Sequence, residues 1–291
     1  MDVDVKTIGV IGAGTMGRGI AYAAALGGYR TVLEDISPQV REEAMAYIRE
    51  TLAEGVARGK VTAEQRDAAL RNITTASSAE AACREADLLI EAVPEEMEMK
   101  LEIFTIFDKF AKPDAILASN TSSLSVTEMA SITFHSANCI GMHFFNPVPK
   151  MKLLEIVRAL ETSDATLAAC VEVGRRMGKE VVVVRESPGF ITSRINAMIG
   201  NEAFYMLQEG IANAEDIDKA IKLGLNHPMG PFELVDLVGL DVRLSILEHL
   251  HKTLGEKYRP CPLLAQYVKA GRLGKKSGRG VFEYKEKAAK T

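Results

Sequence analysis

Lys6-Thr7-Ile8-Gly9-Val10-Ile11-Gly12-Ala13-Gly14-Thr15-Met16-Gly17 is the stretch that decides the fold. The β-branched run over residues 6–11 reads as a buried strand, and the alanine-rich apolar run that continues to Leu26 reads as a helix. Between them stands Gly-x-Gly-x-x-Gly. There Gly12 permits the tight turn, Gly14 lets backbone approach a pyrophosphate, and Gly17 lets helix and strand pack closely. The helix N-terminus then offers free N–H groups and its positive dipole end to phosphate. Gly12, Gly14, Met16 and Gly17 are therefore the first cofactor-binding candidates. A second strand, Thr31-Val32-Leu33-Glu34, follows and ends in Asp35. A carboxylate at that strand end accepts hydrogen bonds from a ribose 2′-OH and repels a 2′-phosphate; with no arginine directly after it, the expected dinucleotide is NAD. Glu34 is expected to be exposed or to face a helix, and takes no role.

Outward from this unit the pattern continues in kind. Residues 38–72 read as two charged helices with a turn at Gly59, a helical hairpin inserted after the second strand and projecting from the sheet edge. Strands are then expected near residues 73–75, 87–91, 116–118, 140–143, 151–157 and 181–184, with helices near 78–83, 96–110, 126–131 and 164–177. Such βαβα order requires right-handed crossovers and a mostly parallel sheet covered on both faces, a Rossmann-type α/β domain over residues 1–186. After Ser187-Pro188-Gly189 the pattern becomes wholly helical, in runs stopped by glycines, and residues 187–291 are expected to form a smaller all-helical domain.

The composition excludes several classes. The chain has 291 residues, 47% apolar and 25% charged, enough to bury roughly three quarters of its unfolded surface. A net charge of −4 predicts no general attraction to nucleic acid or to an anionic membrane. Cys83, Cys139, Cys170 and Cys261 are far apart and lack Cys-x-x-Cys spacing, so neither a metal site nor a redox dithiol is expected. The start, Met-Asp-Val-Asp-Val-Lys, carries no basic leader, which predicts a cytoplasmic protein.

In a sheet of this kind ligands collect at the carboxyl ends of the strands. Three polar clusters fall there: Glu95 and Lys100, then Ser119-Asn120-Thr121-Ser122-Ser123, then His143-Phe144-Phe145-Asn146-Pro147, which leads on to Glu155. An imidazole, an amide and a carboxylate in one proline-punctuated run equip a proton transfer, because an unperturbed imidazole titrates at about 6.5. His227, in His-Pro-Met-Gly-Pro, reads as a structural turn residue.

With Gly-Ala-Gly-Thr-Met-Gly, Ser-Asn-Thr-Ser-Ser-Leu, His-Phe-Phe-Asn-Pro and His-Pro-Met-Gly-Pro-Phe-Glu-Leu-Val-Asp in order along the whole chain, the sequence resembles the (S)-3-hydroxyacyl-CoA dehydrogenase family. Within it, the single-function 3-hydroxybutyryl-CoA dehydrogenases resemble it most. The resemblance implies His143 as catalytic base with Glu155 as its carboxylate partner, and Ser122 and Asn146 around the substrate oxygen and the nicotinamide. It implies cofactor contacts at Asp35, Glu95, Lys100 and Lys276, coenzyme A contacts at Thr51, Arg58 and Ser122, and a homodimer formed through the helical domain. One departure stands out: where the family commonly has Gly-Phe-x-x-Asn-Arg, with an amide that reaches the active site, this chain has Gly189-Phe190-Ile191-Thr192-Ser193-Arg194. Ser193 offers one hydroxyl in place of that amide. Two alternatives share the plan: a dehydrogenase of a free hydroxy acid or sugar acid, and a nucleotide-binding protein without turnover.

Overall fold

Every residue of β1 (Thr7–Ile11) is buried, as a strand covered by helices on both faces must be. The computed structural model describes residues 4–284 and divides into two compact units between Ser187 and Pro188. In the first unit β1 is followed by α1 (Thr15–Leu26), β2 (Arg30–Glu34), α2 (Pro38–Ala57) and α3 (Ala63–Asn72). Next come β3 (Ile73–Ala76), α4 (Ala79–Glu85), β4 (Leu88–Glu91), α5 (Met97–Phe110), β5 (Ile116–Ser119) and α6 (Val126–Ser131). The unit closes with β6 (Cys139–Phe144), β7 (Leu153–Arg158), α7 (Asp164–Arg176) and β8 (Glu180–Arg185).

The sheet runs β3-β2-β1-β4-β5-β6-β7-β8. Neighbours are parallel except β6 and β7, which are antiparallel. Strand order reverses between β1 and β4, and that switch point opens a crevice beyond the carboxyl ends of the strands. Side chains alternate between two cores: Ile8, Val10, Leu88, Ile90, Ile116 and Ile140 face one layer, and Ile11, Leu89, Leu117 and Cys139 the other. Phe104 and Phe107 of α5 are fully buried in the second layer, each contributing about 1.5–3 kcal/mol.

The helical hairpin is present, with α3 held by a capping box between Thr62 and Gln65. It does not stand away from the sheet: Ala44, Ile48 and Leu52, four residues apart on α2, are fully buried in the core that α1 also fills. Helical spacing thus gives α2 one apolar stripe and leaves its charges outward.

The second unit is all helical, with α8 (Thr192–Gln208), α9 (Ala214–Gly224), α10 (Pro231–Val238), α11 (Leu240–Leu254) and α12 (Pro262–Lys269). Phe204 anchors its core, meeting Phe232 and Tyr267 edge-on at 5.2 and 5.8 Å. Buried Asp236 accepts the N–H groups of Val281 and Phe282 and the Tyr284 hydroxyl, and so holds the segment that follows α12.

Candidate active site

The glycine turn has the geometry its sequence requires. Gly12 sits at φ +93°, a conformation side chains resist, and a Cβ on Gly17 would lie 1.7 Å from the Gly12 carbonyl oxygen, so only glycine lets α1 close on the turn. A Cβ on Gly14, by contrast, would meet nothing within 4 Å, which leaves open space above the loop. Serine or threonine side chains cap α2, α3, α4, α6 and α7. Helix α1 begins at Gly14 with no side-chain cap and no acid in its first turn. Its leading N–H groups therefore suit a bound anion. Asp35 buttresses the turn, its two oxygens accepting the N–H groups of Ala13 and Ser37 at 3.0 and 2.9 Å. A carboxylate has further lone pairs, so Asp35 can still accept from a ribose hydroxyl. These residues fit a dinucleotide. Met16 is half-buried against the core.

Two features near Asp35 go beyond the sequence reading. Glu34 is buried, 4% exposed, and not at the surface. Burial, then the neighbouring Asp35 charge, push its carboxyl up to about 7 against the pull of the Gly12 backbone and Arg41. Arg41, six residues beyond Asp35, returns across the start of α2 to donate to the Asp35 backbone carbonyl.

At the ends of β4 and β5 the expected clusters form one network. Lys100 is 1% exposed and donates to both oxygens of Glu91 at 2.8 and 3.0 Å, with Glu95 at 3.3 Å. Glu91 also accepts the Ser119 hydroxyl and the Val93 N–H. Burial drives the Glu91 carboxyl above its usual range, opposed by Lys100. Glu95 takes the Thr121 hydroxyl at 2.6 Å, the Ser122 N–H and hydroxyl at 2.7 and 3.1 Å, and the Ser123 N–H at 3.2 Å. Burial works to raise its pKa, but Lys100 and these donors outweigh it and hold the group below the ordinary carboxylate range.

His143 and Glu155 face each other across the antiparallel β6–β7 pair. Directly opposed residues of such a pair project from the same face with Cβ atoms close together. Nδ1 of His143 accordingly lies 2.7 Å from Oε2 of Glu155, with His143 6% and Glu155 1% exposed. The Phe145 ring packs 4.4 Å from the imidazole, centroid to centroid. Asn120 accepts the Phe144 N–H at 3.0 Å and so ties the β5 cluster to the β6 end. Asn146, on the connection between β6 and β7, is exposed. Lys179 holds that connection from below, donating to the Val148 and Met151 carbonyls at 2.5 and 2.8 Å. Held by carbonyls alone, its buried ammonium is pushed down to about 8.

Residues 7–187 match the 3-hydroxyacyl-CoA dehydrogenase NAD binding domain, and residues 189–284 match the 3-hydroxyacyl-CoA dehydrogenase C-terminal domain. The chain belongs to the 3-hydroxyacyl-CoA dehydrogenase family. It is 46% identical over 288 residues to a probable 3-hydroxybutyryl-CoA dehydrogenase of Bacillus subtilis, covering 99% of this chain and 100% of that protein. It is 47% identical over 282 residues to the 3-hydroxybutyryl-CoA dehydrogenase of Bradyrhizobium diazoefficiens, covering 97% and 96%. The crystal structure of (S)-3-hydroxybutyryl-CoA dehydrogenase from Ralstonia eutropha superposes with a TM-score of 0.93 at 42% identity, covering 97% of this chain and 100% of that one. As a 3-hydroxyacyl-CoA dehydrogenase family member the chain is an NAD-dependent oxidoreductase. Among the described residues no helix is long and apolar enough to cross a membrane.

The structure brings Asp35, the glycine turn, Glu95, Lys100, Ser122, His143 and Glu155 to the strand-end side of one sheet. Thr51 lies on α2 and Arg58 caps its C-terminus, forming an exposed pair with Glu54 at 3.1 Å. Lys276 belongs to the second unit and pairs with Asp241 at 2.7 Å. Ser193 is half-buried in the first turn of α8. Glu91, Lys179 and Arg41 take no role in the sequence reading. Only Glu91 left a signal there, as an acid closing the otherwise apolar strand Leu88-Leu89-Ile90, since a buried acid needs a partner.

Proposed function

We propose that this chain catalyses the NAD-dependent oxidation of (S)-3-hydroxybutyryl-CoA to acetoacetyl-CoA and the reverse reduction, with His143 as general base. The observation that carries the assignment is the buried 2.7 Å contact between His143 Nδ1 and Glu155; the names of the relatives support the substrate class. When bound, NAD supplies a nicotinamide that accepts the hydride from C3. The task left to the protein is the hydroxyl proton. With Nδ1–H donated to Glu155, the imidazole lone pair resides on Nε2, the nitrogen that takes this proton. Glu155 fixes the tautomer and stabilises the imidazolium that forms, as the carboxylate does in a hydrolase triad. General-base catalysis of this kind contributes ~10²–10⁴ in rate.

Ser122 and Asn146 orient the substrate oxygen, donating to it as charge develops. Ser122 reaches it by turning its hydroxyl away from Glu95, while its N–H stays bound there. Glu95 and Lys100 position this loop, Asp35 and the glycine turn hold the dinucleotide, and Thr51 and Arg58 meet coenzyme A. The second unit leaves Leu223 76% and Leu225 63% exposed, beside a groove lined by Met198, Ile199 and Met206. Apolar surface of this kind supports a homodimer. The bacterial relatives support a cytoplasmic setting.

Following NADH absorbance with acetoacetyl-CoA, with free acetoacetate and with neither, then repeating with NADPH, tests the proposal. CoA-dependent oxidation of NADH is expected. Equal turnover of free acetoacetate, or binding without turnover, overturns it.

A further inference from the structure

We infer that Arg18 is a phosphate-binding residue for the nucleotide end of the CoA substrate, an inference that rests on the activity proposed above. Arg18 stands on α1, one residue after the last glycine of the turn, and its guanidinium lies 4.2 Å over the Tyr47 ring of α2. Stacking fixes the guanidinium plane by its face and leaves its N–H edge for hydrogen bonding, the arrangement that recognises phosphate bidentately. That edge is unspent. Among the described residues no carboxylate pairs with Arg18, and its buried Nε has no hydrogen-bond partner.

The molecule contains its own controls. Arg176 stacks 4.1 Å over Tyr29 and Arg272 4.0 Å over Tyr267. Arg176 donates to the Gly27 carbonyl, and Arg272 donates to the carbonyls of Gly280 and Val281 at 2.8 and 3.2 Å. Those two stacks are structural fasteners whose donors are used within the fold. Arg18 has the same stack without the fastening. Nor does the junction need a charge, because Ala44, Ile48 and Leu52 already bind α2 into the core; a leucine there would leave no unpaired buried nitrogen.

The surroundings specify which phosphate. The stack turns Arg18 toward α2, where Tyr47 and Thr51 stand one turn apart on one face and Arg58 follows at the C-cap. A hydroxyl and a second guanidinium thus follow Arg18 along that helix, apart from the uncapped N–H groups of α1 that suit the dinucleotide. The chain carries a net charge of −4, so the phosphates of CoA must be held by local cations of this sort.

The test uses Arg18→Gln, which keeps the aliphatic stem over Tyr47. Calorimetry of NAD-saturated protein with 3′-phosphoadenosine 5′-diphosphate should show affinity about tenfold weaker in the variant. KM for acetoacetyl-CoA should rise by a similar factor. Turnover of S-acetoacetyl-N-acetylcysteamine, which lacks the nucleotide, and the Kd of NADH should follow the wild type. Equal affinity for the probe, or an equal loss of NADH affinity, overturns the inference; the second outcome would assign Arg18 to the dinucleotide. Wild-type turnover of acetoacetyl-CoA judges the proposed activity separately, because the probe measurement requires no catalysis.

Discussion

Two buried acid–base pairs sit at neighbouring strand ends of one sheet, and they are built for opposite ends. Lys100 lies between two carboxylates, donating to both oxygens of Glu91 and close to Glu95. That ammonium ties the end of β4 to the loop that follows it. His143 faces the Glu155 carboxylate through Nδ1 across a strand pair. An imidazole can gain a proton at the other nitrogen without changing that hydrogen bond. The first pair is a strut for the Ser122 loop, and the second is suited to moving a proton. What separates them is the kind of base, an ammonium set between two carboxylates or an imidazole facing one across the strands, since both pairs are almost fully buried.

Breaking each pair should have a different signature. His143→Gln is expected to lower turnover at least about a hundredfold while leaving NADH affinity, measured by fluorescence titration, intact. Near-wild-type turnover would erase the distinction between the pairs. Glu91→Gln removes one partner of a buried pair and should destabilise the fold by about 3–5 kcal/mol, read from urea unfolding. Its residual turnover should exceed that of His143→Gln. A change below about 1 kcal/mol would show that Lys100 is held without Glu91.

How much of this contrast was legible before the structure depends on range. The glycine turn, Asp35 and the helical hairpin are local patterns, and the helix α2 expected from residue 38 begins at Pro38. His143 and Glu155 were both named from the sequence, though the feature that brings them together, the antiparallel step between β6 and β7, is a matter of register that a mostly parallel reading does not fix. For Glu34 the sequence left two readings open, exposed or facing a helix, and burial excludes the first because β2 is covered on both faces. Lys179 was invisible for another reason: its partners are backbone carbonyls of Val148 and Met151, and carbonyls carry no sequence signal. The same holds for Arg41 at the carbonyl of Asp35.

Glu34 sharpens the comparison as a buried acid with no ammonium or imidazole of its own. Its folded pKa of about 7 lies above the ordinary 4.5, so between these values the folded state keeps a proton that the unfolded chain has lost. Wild-type stability should therefore fall as pH rises through that window, by at most about 3 kcal/mol. Glu34→Gln abolishes this titration, and its unfolding free energy should change less than the wild type's between roughly pH 5 and pH 8. Identical pH slopes for the two proteins would mean that Glu34 ionises in the fold as readily as in water.

Glu155→Gln asks how much of the dyad's work is charge. The glutamine carbonyl can still accept the Nδ1–H of His143, so the tautomer and the cross-strand geometry survive while the counter-charge to the imidazolium is lost. Turnover should fall by about tenfold, the equivalent of ~1.4 kcal/mol, less than for His143→Gln. The pH–rate profile should also change, because a neutral amide replaces the carboxylate beside the ring. A tenfold loss with an unmoved profile would assign Glu155 to orientation alone. An unchanged rate and profile would uncouple the pair, and His143 would then have to act without the carboxylate that the β6–β7 register places beside it.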